Sequence, residues 1–174
     1  MKQFLKQEEL QAFLDAWEKY RGKKTLCIDM DGVFCDFDKT AIKWAANMGI
    51  SVEEFKQSKK YRQPNFYFDL EPMEGAMEAI KELEQDFHIR FLSAPSWNCP
   101  ESFTEKRLWI EKYLGSWGFK RLDLTFEKDS FIGHFLVDDR LKYGADNFIG
   151  EHIMFGTEQF PAWPDVVSYL KSKK

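Results

Sequence analysis

Residues 26–38 read LCIDMDGVFCDFD. An apolar run ends abruptly in Asp29, Met30 and Asp31, turns at Gly32, and meets Asp36 and Asp38 shortly after. Four aspartates within ten residues repel one another, and the repulsion grows as water is excluded. A β-rich run that stops in charge reads as a buried strand presenting acids at its carboxyl end.

Four more β-rich runs follow outward from that strand. They are IRFL (89–92), LDLTF (122–126), FLV (135–137) and HIMF (152–155). Helical stretches stand between them, at 75–85 and 104–115, and a tail helix starts behind Pro164. Strands alternating with helices predict crossover units, which are right-handed, and a mostly parallel sheet. The expected class is α/β, a Rossmann-like parallel sheet with helices on both faces. About 60 residues separate the first two strands, more than one crossover helix needs. Helical pieces at 39–48 and 52–59 fall in this excess. It reads as a small helical cap inserted after the first strand. The expected division is an N-terminal helix at 1–22, a core of 23–35 and 73–174, and a cap at 36–72. The first helix, at 2–20, carries an apolar stripe of Leu10, Phe13, Leu14 and Trp17, one face of a 3.6-residue period. Docking on the domain's own core is the simpler use of that stripe, and a homodimer contact is the alternative.

The chain has 174 residues with 17 Phe, 6 Trp and 6 Tyr, enough apolar mass for one packed domain. A net charge of −4 argues against binding nucleic-acid polymers through a basic surface. Cys27, Cys35 and Cys99 form no metal or disulfide pattern. The N-terminal stretch has no signal-peptide core, and no apolar run reaches membrane-spanning length, so no membrane is expected and the cytoplasm is the simplest location.

Ligands of parallel α/β sheets bind beyond the carboxyl ends of the strands. Asp29 and Asp31 follow the first strand and Ser93 ends the second. Lys128 follows the third, and Asp138 with Asp139 ends the fourth. Four carboxylates crowded there cannot all ionise unaided. Hard oxygen donors without His or Cys suit Mg²⁺, which keeps waters and a substrate phosphate. Lys128 adds one positive charge, so the site suits a small dianionic phosphate ester. Asp29 is placed to attack as a nucleophile and Asp31 to serve as general acid and base. Gly32 allows the tight turn between them. Asp36 and Asp38 read as helix-start residues, because acids favour a helix N-terminus.

These motifs resemble the haloacid dehalogenase superfamily of phosphohydrolases. DMDGV matches its first motif, Ser93 its second, Lys128 its third and Asp138-Asp139 its fourth, over about residues 24–156. The stretches DMDGVFCDF, NFYFDLEPMEGAMEAIKEL, SAPSWNCPESFTEKRLWIEKYLG and FLVDDR are similar to the 5′(3′)-deoxyribonucleotidases. The resemblance implies a nucleotide monophosphatase working through an aspartyl-phosphate. Asp29 is then nucleophile and Mg²⁺ ligand, and Asp31 is acid/base and binds the metal through its carbonyl. Asp139 is a direct ligand, with Asp138 in support, through a water. Ser93, Ala94 and Lys128 are the implied phosphate-binding set, and Phe37 and Tyr67 the implied substrate pocket. Trp44, Tyr61, Phe66 and Trp97 are further aromatics to be divided between pocket and core. The family commonly has Thr-Ser-Pro followed by a basic residue where this chain has Ser93-Ala94-Pro95-Ser96-Trp97, so one hydroxyl and one cation are expected to be missing. The alternatives are a phosphatase of sugar phosphates, a phospho-acceptor module and a non-catalytic binding protein. Receiver-type modules carry their acidic pair after the first strand and the acceptor Asp after the third, which this order does not match.

Overall fold

The computed structural model describes residues 6–174. The strands are β1 (Lys24–Ile28), β2 (Cys35–Asp36), β3 (Glu71–Pro72), β4 (Phe87–Ser93), β5 (Leu122–Leu124), β6 (Phe135–Asp138) and β7 (Glu151–Met154). The helices are α1 (Gln7–Arg21), α2 (Phe37–Asn47), α3 (Val52–Gln57), α4 (Ala76–Leu83), α5 (Glu101–Leu114) and α6 (Trp163–Lys171). Five strands form one parallel sheet in the order β5-β4-β1-β6-β7. The chain leaves β1 toward β4 and leaves β6 toward β7, so the strand order reverses between β1 and β6. A crevice opens at such a reversal, and Asp29 and Asp138 stand at its two lips.

The sheet is covered on both faces, which is why its strands read as near-continuous apolar runs. Leu26 and Ile28 of β1, Ile89 and Phe91 of β4 and Phe135 and Val137 of β6 face the larger core cluster. That cluster takes Ile80 and Leu83 from α4, Trp109 and Ile110 from α5, and Trp163, Val166 and Leu170 from α6. Cys27, Leu92 and Leu136 alternate to the other face and meet Ala145 and Phe148. α1 docks on that second face. Leu14 is its buried residue, Trp17 Nε1 donates to Thr25 Oγ1 at 3.2 Å, and the Leu14 carbonyl lies 3.0 Å from His134 Nε2. The stripe thus packs at home, as the simpler reading expects. The expected helix start at residue 2 lies outside the described residues. Gly22 stops α1 with φ +74° and donates its N–H to the Glu18 carbonyl.

The excursion after β1 is pinned at its base by the antiparallel pair β2–β3, with Cys35 opposite Pro72. Asp36 caps α2, its carboxylate accepting the Lys39 N–H at 2.9 Å, and Ser51 caps α3 through Glu54 N–H at 3.1 Å. Asp38 lies in the first turn of α2 and pairs with Lys56 at 2.8 Å. Phe55, Phe66 and Leu70 from this region belong to the same large cluster as the sheet, so the excursion has no separate core. No helix among the described residues is long and apolar enough to cross a membrane. All three cysteines are free and buried.

Candidate active site

The carboxyl ends of β1, β4, β5 and β6 open into a cleft of about 570 Å³. Asp29, Asp31, Ala94, Lys128 and Asp138 line it together with Phe37 and Tyr67. Asp29 is fixed by the ladder itself, its N–H donating to the Val137 carbonyl at 2.9 Å. Lys128 Nζ donates to Asp29 Oδ1 at 2.7 Å and also to Asp138 Oδ2. Burial alone would lower the Lys128 ammonium, but the Asp29 and Asp138 carboxylates outweigh it and hold the group above its ordinary value. Asp138 is buried, and desolvation, followed by the neighbouring Asp29 charge, pushes its carboxyl up to about 7. Its other oxygen accepts the Arg140 N–H at 2.9 Å. One lysine does not balance this group of acids.

Asp29, Asp138 and Asp139 each offer a carboxylate oxygen, and these atoms lie within 4.8 Å of one another. Two further features fit a bound cation. Asp139 Oδ1 is buried without a hydrogen-bond partner, a cost that a metal–oxygen bond would remove. Gly32 sits at φ +88°, and a Cβ there would lie 2.7 Å from Asp139 Oδ2. Only glycine lets this backbone and that carboxylate share the space. An all-oxygen donor set matches a hard divalent ion. The Asp31 side chain is outside this trio and points to a different partner.

That partner is Lys106, which the sequence reading did not single out. Lys106 on α5 is wholly buried, and its Nζ donates to Asp31 Oδ1 at 2.6 Å and to Ser93 Oγ at 3.0 Å. An ammonium only donates, so Ser93 must accept here, leaving the hydroxyl proton free to face a ligand oxygen. The cation expected to be missing beside Ser93 is therefore supplied, from a helix rather than from the loop. The neighbouring Glu105 is also buried and accepts N–H bonds from Asn65 at 2.6 Å and Tyr67 at 3.1 Å. Trp109 Nε1 reaches the Leu70 carbonyl at 2.7 Å. α5 thus ties the excursion to the carboxyl edge of the sheet. The sequence signal was a Glu-Lys pair in a helix whose apolar pattern looks incomplete, and such pairs usually face solvent.

The aromatics divide. Phe37 packs edge-on against Tyr61 at 5.3 Å and Phe66 at 5.1 Å, and both Phe37 and Tyr61 line the cleft. Tyr67 also lines it, almost buried, with Lys106 Nζ 5.0 Å from its ring centre. Burial, then the Asp31 charge, push its phenol well above the ordinary value. Trp97 lines the cleft and is exposed. Phe66 is fully buried and Trp44 packs on it at 5.5 Å, so these two are core, not pocket.

Residues 51–160 match a family described as 5′ nucleotidase, deoxy (pyrimidine), cytosolic type C protein. A Vibrio phage KVP40 protein, named as a candidate 5′(3′)-deoxyribonucleotidase, is 42% identical over 159 residues, spanning 88% of this chain and 90% of its own. The human cytosolic-type 5′(3′)-deoxyribonucleotidase is 24% identical over 165 residues, covering 80% and 77%. In three dimensions, a haloacid dehalogenase superfamily hydrolase from Geobacter sulfurreducens superposes with a TM-score of 0.60 at 11% identity. It covers 85% of this chain and 96% of its own.

Proposed function

Because the chain belongs to the cytosolic type C 5′(3′)-deoxyribonucleotidase family, a family of phosphoric monoester hydrolases, we propose that it dephosphorylates deoxyribonucleoside monophosphates through an aspartyl-phosphate. The observation that carries this reading is the position of Asp29. Its carboxylate accepts from the Lys128 ammonium at 2.7 Å and offers an oxygen within 4.8 Å of those of Asp138 and Asp139. A phosphoryl group placed there meets a nucleophile beside an ammonium.

In the first half-reaction an Asp29 oxygen attacks phosphorus in line, the P–O bond to the nucleoside breaks, and protonated Asp31 gives its proton to the departing oxygen. In the second, Asp31 takes a proton from water, whose oxygen attacks phosphorus, and Asp29 leaves as carboxylate with inorganic phosphate. Lys106 holds Asp31 in place through both steps. Lys128 and the Ser93 hydroxyl meet the equatorial oxygens where charge spreads in the transition state, and the Ala94 backbone lies alongside. Asp29, Asp139 and the Asp31 carbonyl would hold Mg²⁺, with Asp138 supporting. The ion would neutralise phosphoryl charge in the crowded acid cluster. Phe37 and Tyr67 serve as the substrate pocket, on the cap formed by residues 36–72. A cytoplasmic setting suits three reduced, buried thiols.

The test is a phosphate-ester panel on the purified chain with and without Mg²⁺, alongside Asp29→Asn. dUMP or dTMP is expected to be preferred over sugar phosphates, EDTA to stop phosphate release, and Asp29→Asn to lower kcat by at least about 10³-fold. A preference for sugar phosphates, or wild-type turnover by the variant, overturns the reading.

A further inference from the structure

The cleft has a second aromatic wall that the phosphate chemistry does not use. Trp97 follows β4, Phe126 follows β5 and Tyr143 follows β6, and all three line the cleft. Their rings are contiguous, with centroids 5.9 Å apart for Trp97–Phe126 and 5.8 Å for Phe126–Tyr143. Phe103 of α5 backs Phe126 at 6.5 Å. None of the three cleft rings belongs to either core cluster. Trp97 is 77% exposed and Tyr143 50% exposed. Tyr143 also adopts φ +56°, a region that bulky residues rarely enter. It is held there while its carbonyl accepts the Lys128 N–H at 2.6 Å. The backbone bond that seats the phosphate-binding lysine therefore also sets out the third ring. Arg140 and Lys142, from the same loop, line the cleft beside it.

Large rings left in water at the lip of a cleft mark a contact surface rather than core. Adjacent rings flanked by cations suit a flat π-face carried on a phosphorylated sugar. Resting on the nucleotidase reading above, we propose that Trp97, Phe126 and Tyr143 form a stacking surface for the substrate's nucleobase. This wall faces the cleft from the core side, whereas Phe37 and Tyr61 face it from the excursion. Base affinity is thereby set by two walls built from different parts of the chain.

The experiment compares KM for dTMP and for ribose 5-phosphate in the full chain, for wild type, Trp97→Ala, Trp97→Phe and Trp97→Ala/Tyr143→Ser. Trp97→Ala is expected to raise the dTMP-to-ribose-5-phosphate KM ratio about fivefold or more, the yield of one aromatic–base stack. The double variant raises it further and Trp97→Phe restores most of it. In Asp29→Asn protein, dTMP is expected to quench tryptophan fluorescence, and the quench to shrink in Asp29→Asn/Trp97→Phe. A KM ratio within twofold of wild type in both Ala-containing variants overturns the stacking surface. If wild type itself prefers ribose 5-phosphate, the nucleotidase reading fails first and the proposal with it. A dTMP preference that both Ala-containing variants leave intact overturns the proposal alone.

Discussion

The sheet edge and the excursion after β1 meet across one cleft, yet they are built on opposite rules. At the edge, Asp29, Ser93 and Asp138 stand on or directly behind strands, held by backbone ladders. Lys128 is clamped between two acids. In the excursion, Phe37, Tyr61 and Phe66 hold one another by edge-on ring contacts between short helices and turns. Charge transfer demands fixed positions to within fractions of an ångström, whereas apolar contact area can be supplied by many arrangements. The edge is therefore fixed by backbone and charge, whereas the excursion rests on ring packing that many side chains could supply.

The largest expected break in that contrast is at Lys106. Lys106→Met keeps most of the stem but removes the charge that holds Asp31. The kcat is expected to fall about 10²-fold or more, with a smaller change in KM. A kcat within threefold of wild type would remove Lys106 from the site. Next is Gly32→Ala, whose Cβ would collide with Asp139. Titration of activity with Mg²⁺ is expected to need about 10- to 100-fold more metal; an unchanged titration would mean that Asp139 is not a ligand. On the permissive side, Phe37→Ala is expected to raise KM for dTMP only about three- to tenfold, because neighbouring rings remain. A complete loss of turnover would show that the excursion is as exacting as the edge.

The smallest effect lies away from the cleft, at His134. Its Nδ1 accepts the Thr25 N–H at 2.9 Å and its Nε2 lies 3.0 Å from the Leu14 carbonyl, so the folded ring is neutral with the proton on Nε2. Burial lowers its pKa, despite the Leu14 carbonyl and Glu18, which favour the proton. The unfolded chain takes up that proton near the ordinary value of about 6.5, while the folded ring resists. Stability should therefore fall as pH drops below about 6.5. In urea melts at pH 7.0 and 5.5, His134→Gln is expected to lose less between the two than wild type does. Parallel losses would mean that α1 docking is insensitive to this proton.

Much of the edge was legible because a strand ending in a charge is a local pattern. TLCI before Asp29 and FLV before Asp138 each carry strand and function in a few residues. The doubly covered sheet followed from the same runs. The pairing β2–β3 was not legible, since two residues carry no period. Nor was Lys106. Ser102, Glu105, Lys106, Trp109 and Ile110 are all buried on α5, so its inward face mixes charge with aromatics and blurs the amphipathic signal. Phe66 and Tyr61 are both aromatic and five residues apart, yet tertiary placement buries one and sets the other on the cleft.

The adjacent Glu105 and Lys106 also fix a length. Lys106 meets Ser93 across 13 positions of chain, while Glu105, one step earlier, holds the Asn65–Tyr67 loop. Inserting or deleting one residue within α5 ahead of Glu105 would swing both side chains by about 100° around the helix. Asp31 and the loop carrying Tyr67 would then lose their anchors together. The register of α5 ahead of Glu105 therefore sets both anchors at once.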